Sequence, residues 1–97
     1  MAFPEQDPRP FNRLEVEALK PDQSGVYGLL NLEKRVLWIY IGQGDIRQCL
    51  LAHLDGDNAC IRAGKPTHFL YEVTSNTHGK EIELIVELDP ICNKHRG

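Results

Sequence analysis

The chain lacks most of what would tie it to a membrane, a disulfide-bonded scaffold or a polyanion. No run approaches the roughly 18–20 apolar residues of a membrane span, and Met1 to Glu5 shows neither a basic stretch nor an apolar segment of the secretory kind. No membrane partner is expected. Cysteine is scarce: three residues, at 49, 60 and 92, an odd number without paired spacing, so no disulfide framework is expected and a reducing, cytoplasmic location fits. There is no basic excess either. Eleven Lys and Arg stand against fourteen Asp and Glu, a net charge of −3, whereas domains that bind nucleic acid on their own usually carry a positive balance. Arg13, Lys34, Arg35, Arg47, Arg62 and Lys65 can at most form a local basic face.

What is present suits one folded unit. Ninety-seven residues, 41% hydrophobic and 26% charged, exceed what a disordered chain carries and fall short of what two cores need. Three of the six prolines lie at 4, 8 and 10, so residues 1–20 read as an arm, extended and without regular structure at first, with a short helical turn in 11–20. Residues 21–97 read as the domain. Pro21 to Gly25 is turn chemistry before an apolar run, Val26 to Asn31, that reads as a strand; Leu32 to Arg35 form a hairpin tip.

Val36 to Ile41 is the strongest strand, apolar on both faces, and helices are expected to cover it. Asp45 is placed to cap a helix over Ile46 to Leu54, stopped by Asp55-Gly56-Asp57. A helical turn over Ala59 to Ala63 ends at Gly64. Thr67 to Thr74 alternates like a half-buried strand, Ser75 to Gly79 reads as a loop, and Lys80 to Leu88 has helical periodicity up to Asp89-Pro90. This order predicts a small α+β domain with a mainly antiparallel sheet.

The junctions of these elements carry more specific residues: Ser24-Gly25-Val26-Tyr27, then Trp38-Ile39-Tyr40-Ile41-Gly42-Gln43 followed by a helix, then Glu81 to Ile85, and Pro90-Ile91-Cys92-Asn93. In this order and spacing they resemble the GIY-YIG nuclease family over roughly residues 21–93. The resemblance implies a three-stranded antiparallel sheet flanked by helices and metal-dependent cleavage of DNA phosphodiesters. It also implies that Tyr27 and Tyr40 orient or deprotonate the attacking water, while Glu81 holds a Mg²⁺ or Mn²⁺ ion. Gly25, Gly42 and Asn93 would be motif positions. Cys49 stands where the family's catalytic arginine is expected, and Gln43 where a lysine often follows the second motif.

These roles are chemically sensible. A carboxylate suits a hard cation that neutralises charge at phosphorus, and a phenol acts as a base near neutrality only if a nearby cation stabilises its anion. A helical projection of 80–88 puts Glu81 between Leu88 and Ile85 inside the apolar arc, where a carboxylate needs a partner; in a first turn, the helix N-terminus and water would serve instead. Arg47 projects between Leu54 and Leu51. It either substitutes for the missing arginine or lays its stem over apolar surface.

Bland readings compete throughout. Tyr27 and Tyr40 can be cross-strand core partners, and Cys49 a small buried hydrophobe. Cys49 with His53, and Cys92 with His95, have spacings seen in zinc sites, but nothing requires the pairs to meet; His68 and His78 read as strand-face and loop residues. Two functions remain open: a metal-dependent endonuclease acting on DNA, or an inactive scaffold binding nucleic acid or protein, with a protein partner or a second copy compatible with either.

Overall fold

The computed structural model describes Phe3 and residues 6–93. Four antiparallel strands form one sheet. A two-residue strand β1 (Arg9–Pro10) and a short helix α1 (Arg13–Glu17) precede the hairpin of β2 (Ser24–Asn31) and β3 (Leu37–Asp45). Then come α2 (Ile46–Leu54), α3 (Ala59–Gly64), β4 (His68–Val73), α4 (Thr77–Leu88) and a final 3₁₀ turn, Ile91–Asn93. The spatial order is β1-β4-β2-β3.

The sheet therefore has one strand more than the three expected. Arg9 pairs with Phe69 and Pro10 with His68, and the Gln6 side chain bonds both N–H of Tyr71, at 3.2 Å, and its carbonyl, at 2.9 Å. Proline is tolerated on an edge strand because no inner ladder bond is lost. The arm is also not simply irregular, since Phe3 is buried and stacks on Trp38 at 5.8 Å, and Val16 and Leu19 join the core.

The first hairpin strand, α2, α3 and β4 form within a residue or two of their predicted bounds, whereas β3 runs on to Asp45, four residues past its predicted end at Ile41. Asp45 and Asn58 cap α2 and α3 by accepting from the N–H groups of Gln48 and Ile61, as N-cap side chains do. α4 begins three residues earlier than periodicity suggests, at Thr77, because the helix runs through Gly79, which sequence reading takes for a loop residue.

Helices cover both faces of the sheet. On one, Leu29, Ile39 and Phe69 pack with Val16, Leu19, Ile46, Leu50 and Ile61 from the α1–α3 side. On the other, Val26, Ile41 and Leu70 pack with Phe3 and with Leu84 of α4. β3 lies at the sheet edge, yet its edge is not bare. The buried Asn93 side chain accepts from Ile41 N–H at 2.8 Å and donates to Ile41 C=O at 3.0 Å, standing in for a neighbouring strand.

Next to Asn93, Cys92 is joined to Cys60 of α3 by a disulfide with a Cα separation of 5.8 Å. This corrects the expectation of unpaired cysteines. The partners lie 32 residues apart, so local spacing held no sign of a pairing that tertiary packing creates. Only Cys49 keeps a free thiol. No helix among the described residues is long and apolar enough to cross a membrane.

Candidate functional site

Alternation in β2 sends Tyr27 and Leu29 to the α2 side of the sheet and Val26 to the α4 side. Across the hairpin Tyr27 faces Gly42, and Leu29 faces Tyr40, so both motif tyrosines share one face with ring centroids 6.3 Å apart. Gly42 is required by this arrangement: a Cβ there would land on the phenol of Tyr27. Gly25 serves packing in the same way, because a Cβ would meet the Glu72 carbonyl and, at 2.9 Å, the tip of Ile46. The two motif glycines thus bring tyrosine, helix and neighbouring strand together.

α2 lies over this face and supplies what the strands lack. The Tyr27 hydroxyl is 2.8 Å from Nε2 of His53, and Nδ1 of His53 is 2.8 Å from Oδ1 of Asp57. A carboxylate only accepts, so Nδ1 of His53 carries the hydrogen and, in the neutral ring, Nε2 accepts from the Tyr27 hydroxyl. Tyr40 meets the same imidazole edge-on, with centroids 5.3 Å apart. Cys49, one turn before His53 on α2, exchanges a hydrogen bond with Tyr27. Phenol, imidazole and carboxylate form one chain, with a thiol beside the phenol.

Burial sets the protonation of Tyr27 and Cys49. Tyr27 is only 2% exposed. Its removal from water drives the phenol far above its ordinary value, and the neighbouring Cys49, Tyr40 and Asp57 add to the rise. The Cys49 thiol is pushed up by burial, opposed by its bond with Tyr27 and reinforced by Asp45 and Asp57. At neutral pH both groups keep their protons. Without a neighbouring cation Tyr27 is therefore a neutral phenol that donates to His53.

The remaining sequence candidates lie elsewhere. Arg47 is two residues before Cys49 and so on the opposite flank of α2; it lines a hollow of about 170 Å³ with Asp22, Asp45 and Leu51. Its buried Nε has no hydrogen-bond partner among the described residues. Gln43 pairs with Val26 and is exposed on the α4 side. Glu81 is half-buried on α4, whose Leu84, Ile85 and Leu88 pack on the sheet face away from Tyr27. It is not among the groups that act on Tyr27. As the fifth residue of α4 it also sits beyond the first turn.

The described residues contain no group of three or more His, Cys, Asp or Glu placed to hold a metal ion. Cys49 and His53 do share a helix face, but they meet Tyr27 instead of a second pair; His95 lies outside the described residues. His53 and Asp57 are the members of this cluster that sequence reasoning did not place beside Tyr27. The signal was the four-residue spacing Cys49, His53, Asp57: the first two lie on one face of α2, and Asp57 follows in the turn beyond its end. No protein-family model, curated protein or solved structure matches the chain.

Proposed function

We propose that the chain is a GIY-YIG-like domain that hydrolyses DNA phosphodiesters with a divalent cation, and that the Tyr27–His53–Asp57 chain handles the proton. The observation that carries this reading is the 2.8 Å contact on either side of His53. A water beside Tyr27 gives its proton to the phenol oxygen as the phenol gives its own to Nε2 of His53, and Asp57 stabilises the resulting imidazolium. The water oxygen then bonds to phosphorus while the bond to the leaving oxygen breaks, and solvent protonates that oxygen. Relays of this type contribute about 10²–10⁴-fold. Buried tyrosine and histidine also need no such chain merely to fill space, since apolar side chains of similar shape pack without the cost of pairing polar groups.

The resemblance gives the cation to Glu81, although α4 packs on the sheet face away from Tyr27. Glu81 is a hard oxygen donor that enters none of the ion pairs among the described residues, and Mg²⁺ is commonly held by one or two carboxylates with water and phosphate completing its shell. A bound cation would supply the positive charge that phosphate needs and that the protein groups around Tyr27 do not.

That same lack of charge favours a second reading, a scaffold that binds nucleic acid or protein without cutting. Cys49 occupies the side of α2 from which a cation would reach phosphate, and Arg47 faces away. Metal-free protein incubated with supercoiled, branched and single-stranded DNA, with and without Mn²⁺, separates the two. Hydrolysis predicts metal-dependent cleavage that Glu81→Ala abolishes and His53→Gln lowers by roughly 10²-fold or more. Absence of cleavage in every condition, or cleavage indifferent to both substitutions, selects the scaffold.

A further inference from the structure

The α2 face of the sheet continues past Tyr27 onto β4. Tyr71 pairs directly with Tyr27, and the two lie on the same face, since Tyr71 packs against the core cluster that includes Tyr27. Beyond it a hollow of about 340 Å³ is lined by Arg9, Leu19, Lys20, Gln23 and Tyr71 among others. Its charge is of one sign. Arg9 and Lys20 are exposed, and among the described residues no carboxylate lines the hollow and neither cation enters an ion pair, although the chain as a whole carries −3. The Arg9 guanidinium lies over the half-buried Tyr71 ring, 5.7 Å from its centroid.

A guanidinium over an aromatic face is a common surface contact. Here, however, a flat ring and two unneutralised cations share one concavity of the size that holds a small ligand. We infer that this hollow binds one nucleotide unit of a single-stranded nucleic acid, with its base on Tyr71 and its phosphate between Arg9 and Lys20. The base displaces Arg9 from the ring, and the freed guanidinium turns to the phosphate. A duplex is excluded by the same geometry, because a base within a stack offers no face to Tyr71. The inference rests on the nucleic-acid reading above. It gives that reading the cations that the Tyr27 cluster lacks, placed around Tyr71 on the strand beside it.

Binding is measured by fluorescence anisotropy with a labelled oligo-dT strand in EDTA, using protein carrying Glu81→Ala so that cleavage cannot intrude. The double variant Arg9→Gln/Lys20→Gln, exposed on the surface, should weaken binding by roughly tenfold or more. It should also flatten the slope of log affinity against log salt by about 0.7, the value for one strand phosphate no longer neutralised. Tyr71→Leu should weaken binding roughly 5- to 100-fold for oligo-dT and leave an abasic strand unaffected; circular dichroism of the variant checks that β4 is intact. Equal affinity of parent and double variant overturns the inference, as does duplex binding as tight as single-strand binding. Thymidine monophosphate that binds while the strand does not overturns it too, by assigning the hollow to free nucleotide. Cleavage of DNA by a protein whose double variant binds normally removes this site and leaves the hydrolase reading standing; loss of binding in a protein that never cleaves does the reverse.

Discussion

The two faces of the sheet are built on different terms. On the α4 face, Phe3, Val26, Ile41, Leu70 and Leu84 meet with no hydrogen-bonding side chain among them, and the polar pair Glu72 and Lys80, 3.7 Å apart, is only partly buried. On the α2 face a larger apolar core encloses Tyr27 and packs against Tyr40 and Cys49, and His53 completes the polar group with its side chain 8% exposed. Apolar burial is cheap to build and tolerant of exchange among hydrophobic residues; a polar island holds only when each member is paired. The difference separates the face that maintains the fold from the face on which chemistry is possible. Leu84→Ala tests the first half of this contrast and should have the largest effect on stability, about 2–5 kcal/mol by urea or guanidinium unfolding. A loss below about 1.5 kcal/mol would place the stabilising core elsewhere.

Tyr27→Phe tests the other half. The ring and its packing stay, but Nε2 of His53 loses its donor, and a buried acceptor left unpaired costs about 1–3 kcal/mol. The same substitution changes the response to alkali. The phenol value is raised in the folded state above its ordinary ~10, so the unfolded chain releases this proton first. Stability is therefore full below about pH 10 and falls as pH rises beyond it. Parent protein should lose stability there more steeply than Tyr27→Phe, and an ultraviolet titration should show one phenol ionising only as the fold is lost. Parallel pH profiles for the two proteins would mean that Tyr27 is not held away from water as described.

Much of the framework was legible because it is local. The apolar run in β3, the alternation in β4, the Asp45 cap and the periodicity of α4 each write their element in neighbouring residues. What escaped depends on distance along the chain. β1 exists because the edge of β4 is there to receive it, and Cys60 meets Cys92 only after the last turn has folded back on β3. Asn93 drew attention only through the resemblance, and its bonds to Ile41, 52 residues away, were not legible. The site was half legible for the same reason. The tripeptides marked Tyr27 and Tyr40, but His53 joins Tyr27 across 26 residues, and Asp57 looked like a helix stop. Helical projection correctly kept Arg47 and Glu81 off the plain solvent face, yet a projection says which side of its own helix a residue takes and nothing about which face of the sheet that helix covers.

Glu81→Ala gives the smallest effect on stability and the sharpest separation between fold and function. The carboxylate is half-buried on α4 with no ion pair among the described residues, and the helix N-terminus, several residues back, offers it little. Removing it therefore forfeits no interaction and relieves a partial desolvation cost, while alanine is the better helix former. The unfolding midpoint should stay within about 0.5 kcal/mol of the parent, on the stable side, although the hydrolase reading makes the same substitution abolish cleavage. Added Mg²⁺ or Mn²⁺ should then raise the melting temperature of the parent but not of the variant, because an ion that binds only the folded chain stabilises it by mass action. A destabilisation above about 1 kcal/mol in metal-free buffer would instead make Glu81 a structural residue of the α4 face and leave the chain without the carboxylate that the cation needs.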